Sequence, residues 1–216
     1  MTTDTANPPC QLYLITPPTI KISNFCDQLK AALDGGPVAA LQIRLKQSSD
    51  DEICQTAEAI LAITKPFGIP VIMNDRPDLA KKCGADGVHI GQQDSRYDQA
   101  RSLLGPDSVI GVTCHNSKHL SITAAEQGAD YVAFGAFFPS STKNASTRAE
   151  LDLLKWWHEI MVVPSVAIGG ITHDNCSALI SAGADFLAVV SAVWDYPGGA
   201  YEAVKHFNQI ITDINQ

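Results

Sequence analysis

Eight short apolar runs, each separated from the next by a longer segment, constrain this chain more than any other feature. They are residues 11–16 (QLYLIT), 39–45 (AALQIRL), 70–75 (PVIMND), 87–91 (GVHIG), 109–114 (VIGVTC), 131–135 (YVAFG), 165–170 (SVAIGG) and 186–191 (FLAVVS). Most are apolar throughout, which suits parallel strands covered on both faces. Between them, segments such as 49–64, 117–127 and 149–160 carry apolar residues at three- and four-residue intervals and read as amphipathic helices. Strict alternation of this kind predicts a single (β/α)8 TIM barrel with parallel strands, because open doubly wound sheets more often stop at about five or six strands.

A chain of 216 residues, 45% of them hydrophobic, can bury one large core, and barrels reach this length undivided. The expected organisation is a short disordered leader over 1–9 and a catalytic barrel over 10–216. The tripeptide Gly-Ala-Asp recurs at 84–86, 128–130 and 183–185, each time between a helical segment and a strand. Glycine there admits the left-handed conformation that ends a helix, and the three aspartates are read as turn residues only.

A net charge of −8, a pI near 5.1 and 15 scattered Lys and Arg argue against a nucleic-acid or anionic-membrane surface. No apolar run approaches the roughly 20 residues that cross a bilayer, and residues 1–9 lack the basic and apolar regions of an export signal. The six cysteines, Cys10, Cys26, Cys54, Cys83, Cys114 and Cys176, are widely spaced without a C-x-x-C pair, so a reduced, cytoplasmic protein is expected. The sequence leaves oligomeric state open, homo-oligomers included.

In such a barrel the strand C-termini and the loops beyond them form the reactive face, so polar residues there are the candidates. Gln42, Arg44 and Lys46 alternate with Ile43 and Leu45, which places all three on one side of the second strand's end. Two cations and an amide suit a phosphorylated ligand; the bland alternative is a solvated strand end. Asn74 and Asp75 end the third strand, and Gln92 and Asp94 follow the fourth. Carboxylates beside neutral oxygens suit Mg2+, which is usually held by one or two carboxylates together with phosphate and water. The rival reading makes Asp75 a turn or cap residue before Arg76-Pro77, and Asp94 the cap of a helix opening at Ser95.

Thr113 and His115 follow the fifth strand. The first offers a hydroxyl, and the second either exchanges protons near neutral pH or is bonded locally at a helix entry. His89, inside an apolar strand, reads as a satisfied core histidine. Residues 135–147 (GAFFPSSTKNAST) are dense in hydroxyls with one cation, Lys143. Ser140, Ser141 and Thr142, with backbone N–H groups, suit an anion, while an ordinary loop is the alternative. Gly169 and Gly170 after the seventh strand and Ser191 after the eighth complete the ring, where barrels often hold phosphate on backbone N–H groups. Trp156 and Trp157 read as packing.

Taken in this order, the motifs resemble the thiamine-phosphate synthase (thiamine-phosphate pyrophosphorylase) family. The matching pieces are QIRLK at 42–46, NDRPDLA at 74–80, ADGVHIGQQD at 85–94, STK at 141–143, VAIGGI at 166–171 and VVSAV at 189–193. The resemblance implies a transferase of thiamine biosynthesis that joins hydroxymethylpyrimidine diphosphate to hydroxyethylthiazole phosphate and releases pyrophosphate. Its partners would be small phosphorylated substrates and its cofactor Mg2+. By position, it implies Arg44, Lys46 and Lys143 on the diphosphate and Asp75 and Asp94 on Mg2+. Gln42, Asn74 and Thr113 would face the pyrimidine or its diphosphate, and Ser140, Thr142, Gly170, Val190 and Ser191 the thiazole phosphate.

For that family the diphosphate leaves a resonance-stabilised pyrimidine cation, which the thiazole nitrogen captures, so no strong base is required. The chain departs from the family pattern at Thr113, Ala136 and Ser140, where Ser, Pro and Thr are usual; Thr113 keeps the hydroxyl and adds a methyl. Two alternatives stay open. One is a thiazole tautomerase-like isomerase, which needs neither the carboxylates nor a diphosphate. The other is a non-catalytic paralogue that binds thiazole phosphate or thiamine phosphate.

Overall fold

Each of the eight apolar runs forms a strand in the computed structural model, which describes residues 9–139 and 147–214. They are β1 (Gln11–Ile15), β2 (Ala40–Ile43), β3 (Val71–Asn74), β4 (Gly87–Ile90), β5 (Val109–His115), β6 (Tyr131–Gly135), β7 (Ser165–Ile168) and β8 (Phe186–Val189). Consecutive strands pair in parallel, and β1 also pairs with β8, so the sheet closes on itself. Helices α1 (Ile22–Asp34), α2 (Asp50–Thr64), α3 (Pro77–Cys83), α4 (Tyr97–Leu104), α5 (Lys118–Gln127), α6 (Leu151–Ile160) and α7 (Cys176–Ser181) return the chain between strands. The short α8 (Ser191–Trp194) and the long α9 (Gly199–Ile214) follow β8. The expected (β/α)8 barrel is therefore the observed fold. Residues 1–8, which fall in the leader expected over 1–9, lie outside the described residues, and none of the described helices is long and apolar enough to cross a membrane.

Local sequence accounts for the helix boundaries. Ser49 opens α2 with a reciprocal cap, its hydroxyl accepting from the Glu52 N–H while the Glu52 carboxylate accepts from the Ser49 N–H. Asp50, Asp51 and Glu52 then place negative charge on the positive end of the helix dipole. Ser117 opens α5 through its bond from the Leu120 N–H.

The pleat of the strands divides the core in two. Leu12, Leu14, Leu41, Ile43, Phe134, Leu187 and Val189 pack outward against Leu29, Ile60, Leu154, Trp157 and Phe207 of the helical ring. Residues in the alternate positions, among them Tyr13, Ile15, Ala40, Ile72, Tyr131 and Val166, fill the lumen. Each fully buried Leu or Ile contributes roughly 1.5–3 kcal/mol, so this double layer supplies most of the driving force for closure. Trp157 belongs to the outer layer as expected, with its indole N–H on the Val163 carbonyl.

The Gly-Ala-Asp aspartates do more than turn the chain. Asp86 before β4 accepts from the Val71 N–H of β3 at 2.7 Å, and Asp130 before β6 accepts from the Ile110 N–H of β5 at 2.7 Å. Asp185 before β8 accepts from both the N–H and the hydroxyl of Ser165 in β7, at 2.7 and 2.9 Å. Each carboxylate thus ties the start of its own strand to the start of the preceding one. These bonds lie at the strand N-termini, the end of the barrel opposite the mouth.

One expectation is corrected. Cys54 of α2 and Cys83 of α3 are joined by a disulfide across a sequence separation of 29, so the chain is not fully reduced. Spacing conceals this pair because α2 and α3 are brought side by side only by barrel closure. Cys10, Cys26, Cys114 and Cys176 are free thiols.

Candidate active site at the barrel mouth

The end of β3 builds the first part of the site. Asp75 follows Asn74 with φ 64, an uncommon conformation for any residue other than glycine. The Asp75 N–H donates to the His89 carbonyl and the Arg76 N–H to the Asn74 carbonyl, both at 2.8 Å, so a three-residue turn is centred on Asp75. Arg76 braces the turn from outside through Asp50 at 3.1 Å and Asp78 at 2.6 Å. The Asp75 carboxylate is left on the mouth, where the Lys46 ammonium lies 3.2 Å away.

Asp94 comes to the same place from the loop after β4. Its carboxylate accepts from the Gly91 N–H at 2.8 Å and lies against the Asp75 carboxyl. Burial, and then that contact with Asp75, hold the Asp94 carboxyl above the ordinary value of 3.8, against the opposing pull of the Gly91 N–H and Lys46. Neither aspartate caps a helix: Arg76 occupies the capping position of α3 and Arg96 that of α4, both without a side-chain cap bond. Two touching carboxylates beside one ammonium are an under-neutralised donor set that a hard divalent cation fits. Among the described residues no group of three or more His, Cys, Asp and Glu comes together to hold a metal.

Gln42 projects into the lumen and is almost wholly buried. Its amide donates to the Asn74 side-chain carbonyl at 2.7 Å, which links β2 to β3 at the residue before Asp75. Arg44 and Lys46 lie just beyond β2. The Arg44 N–H is anchored on the buried Thr16 hydroxyl at 2.9 Å, which fixes the backbone two residues before Lys46, and the Arg44 side chain is half-buried.

At the end of β5 the pairing with β6 shifts register between Thr113 and His115, and His115 takes φ 53. Such irregularities re-aim side chains at barrel rims. The Thr113 hydroxyl lies 2.7 Å from His89 Nε2, and the Gln92 amide donates to the Thr113 carbonyl at 2.6 Å. His89 is thus the satisfied core histidine expected, yet one of its partners is a candidate substrate residue. Its other nitrogen, Nδ1, lies 2.9 Å from the Tyr131 hydroxyl, which lies 2.9 Å from the Tyr13 hydroxyl. The Tyr13 hydroxyl in turn donates to Gln42 Oε1 at 3.3 Å. Sequence offers only a weak signal for Tyr13 and Tyr131, a hydroxyl-bearing aromatic inside a doubly covered strand, which needs a buried partner.

On the far side of the mouth, residues 136–138 run along the end of β7, where the Phe137 N–H donates to the Ile168 carbonyl and the Phe138 N–H to the Gly169 carbonyl. The Gly135–Ala136 peptide is cis. Gly170 has φ 62, and a Cβ there would collide with the Pro139 carbonyl. Gly169 has φ 103, and a Cβ there would meet that of Ala136. The glycine pair therefore shapes the base of the long loop. Ser140, Thr142 and Lys143 lie outside the described residues. Val190 precedes α8 and Ser191 is its first residue, at the neighbouring end of β8.

Gln42, Lys46, Asn74, Asp75 and Thr113 are thus joined through hydrogen bonds and one ion pair, and Asp94 meets them at the Asp75 carboxyl. Gly169, Gly170, Val190 and Ser191 stand on the same face at the ends of β7 and β8.

Residues 12–193 match the family model described as thiamine monophosphate synthase. The thiamine-phosphate synthase of Rhodospirillum centenum is 51% identical over 94% of this chain and 98% of its own length. That of Hyphomonas neptunium is 48% identical over 98% of this chain and 99% of its own. Among solved structures, the thiamine phosphate pyrophosphorylase from Pyrococcus furiosus superposes with a TM-score of 0.83 at 28% identity, covering 95% of this chain and 97% of that one.

Proposed function

The chain belongs to the thiamine monophosphate synthase family, and from that premise we propose how its barrel mouth makes thiamine phosphate. It is a transferase: hydroxymethylpyrimidine diphosphate and hydroxyethylthiazole phosphate are joined, and pyrophosphate is released. The C–O bond to the diphosphate breaks with its electron pair leaving on pyrophosphate, and the thiazole nitrogen supplies the pair for the new C–N bond. Negative charge accumulates on the leaving group, so the site needs preorganised positive charge more than a strong base.

The observation that carries the residue assignment is the cluster of Lys46, Asp75 and Asp94. Asp75 and Asp94 would hold Mg2+, with phosphate and water as the remaining ligands. When bound, Mg2+ would act as a Lewis acid that neutralises diphosphate oxygens. Lys46, half exposed, exchanges its carboxylate partner for a phosphate oxygen, while Arg44 presents a planar fork to the same group. Lys143 adds a third cation by the family resemblance. Gln42 and Asn74 orient the pyrimidine, and Thr113 bounds it from β5. Gly169, Gly170, Val190 and Ser191, with Ser140 and Thr142, receive the thiazole phosphate. The position of the glycine pair and of α8 after β7 and β8, where barrels commonly bind phosphate, supports that half.

Both substrates are supplied to the purified protein with and without Mg2+, and product is separated and identified. Thiamine phosphate with equimolar pyrophosphate, formed only with Mg2+, is expected. Isomerisation of a thiazole without pyrophosphate release would overturn the reading.

A further inference from the structure

We propose that Tyr13, Tyr131 and His89 form a one-way hydrogen-bond chain through the lumen that fixes Asn74 as a donor and Thr113 as an acceptor toward the ligand. The identity of that ligand, the pyrimidine substrate, rests on the function proposed above. The direction of the chain does not.

Six side chains from six strands make an unbroken path: Asn74, Gln42, Tyr13, Tyr131, His89 and Thr113. The four inner members are each less than 9% exposed, so water does not compete for their bonds. The path crosses the barrel because β5 carries Gly111 between His89 of β4 and Tyr131 of β6 in the registered row. A Cβ on Gly111 would fall within the Tyr131 ring, which instead lies over this gap and stacks on His89 with centroids 5.5 Å apart.

Proton counting then sets the direction. The Gln42 amide N–H donates to Asn74 Oδ1, so Gln42 Oε1 faces Tyr13 and the Tyr13 hydroxyl must donate. Burial favours the protonated form of both phenols, so each has one proton to give. Tyr13 has used its proton and must accept from Tyr131, which therefore accepts from His89 Nδ1–H. In a neutral ring Nε2 is then the acceptor, and the Thr113 hydroxyl spends its proton on it. At one end Asn74, at the C-terminal end of β3, has its Oδ1 taken by Gln42 and its NH2 left to donate. At the other, Thr113 presents lone pairs only. A ligand that bonds to both must offer an acceptor toward Asn74 and a donor toward Thr113, a pattern that a ring nitrogen beside an amino group supplies. Tyr13, Tyr131 and His89 are positioning residues, acting through Gln42, Asn74 and Thr113.

The direction is read without substrate, from the 15N chemical shifts of the His89 imidazole in labelled protein. The measurement is made at about pH 8, above the ordinary imidazole pKa of about 6.5. The Nδ1–H tautomer is expected; the Nε2–H tautomer overturns the proposal, whatever the protein synthesises. Tyr131→Phe keeps the stacked ring and removes only the hydroxyl. It is expected to release the tautomer lock and to raise KM for the pyrimidine diphosphate about tenfold, with KM for the thiazole phosphate within about twofold. A Tyr131→Phe protein that loses thermal stability while keeping both the His89 tautomer and the pyrimidine KM has lost a structural bond only, and that result also overturns the proposal.

Discussion

Lys46 meets Asp75 at 3.2 Å although the two leave different strands, and the ammonium is half exposed while the carboxylate is three-quarters covered. An exposed ion pair of this kind contributes at most about 1 kcal/mol, so Lys46 can leave Asp75 for a phosphate oxygen at little cost. Asp94 lies against Asp75, which places two carboxylates and one mobile cation at a single point of the rim.

Asp75→Asn and Asp94→Asn should each lower Mg2+-dependent formation of thiamine phosphate by on the order of 100-fold or more, because each removes a charged ligand of the ion. Far-UV circular dichroism should be unchanged. Undiminished turnover with an unaltered Mg2+ requirement in both variants would refute the metal assignment.

The Asp94 carboxyl, raised by burial and by Asp75, gives a signed pH dependence. Between the ordinary value of 3.8 and the raised one, the folded chain binds more protons than the unfolded chain, so this contribution is greatest at the acid end and is lost as pH rises through the window. The melting temperature of the native chain minus that of Asp94→Asn should therefore fall across the window as pH increases. Mg2+ should stabilise the native chain more at the upper end, since its ligands must be deprotonated. A flat difference would contradict the arrangement.

Gly170→Ala should destabilise more than Gly68→Ala. Both glycines have φ near 60, at 62 and 66, but Gly170 faces the Pro139 carbonyl, whereas nothing lies within 4 Å of a Cβ on Gly68. The backbone term alone is about 1–2 kcal/mol and is common to both, so denaturant midpoints isolate the collision. Equal midpoints would show that the loop base yields freely.

Asp185→Ala should cost about 2–3 kcal/mol, because it strands the N–H and the hydroxyl of the fully buried Ser165. These groups sit at the end of the barrel remote from the mouth, so kcat at a temperature where the variant is folded should stay within about twofold of the native value. Urea unfolding and steady-state assays check the two halves.

Thiol titration of the unreduced, denatured chain should find four reactive cysteines, and six after reduction, since Cys54 and Cys83 are paired and the other four are free. Six without reductant would remove the disulfide.

The barrel was legible because its evidence is periodic. Eight apolar runs, with caps such as Ser49 and Ser117 between them, repeat one instruction often enough that tertiary context has little left to override. The acidic pair was legible as residue types at strand ends, but whether either aspartate caps a helix was not. That depends on the φ of Asp75 and on whether Asp94 folds toward Gly91 or toward α4. The Gly-Ala-Asp tripeptides are legible as turns, but that their aspartates also bond to neighbouring strands is not, because the partners of Asp86, Asp130 and Asp185 are 15 to 20 residues away.

The sequence by itself determined the alternation of strand and helix, the order in which polar residues reach the strand ends and, through motifs such as QIRLK and ADGVHIGQQD, the family. These are local properties, written in side-chain period and residue type. Only the tertiary structure decided that Lys46, Asp75 and Asp94 share one point, that Cys54 reaches Cys83, and that Tyr13 and Tyr131 bridge Gln42 to His89 across the lumen. Each of those contacts joins residues from different strands or helices, and their distances are set by how the sheet closes, a condition that no stretch of the chain carries alone.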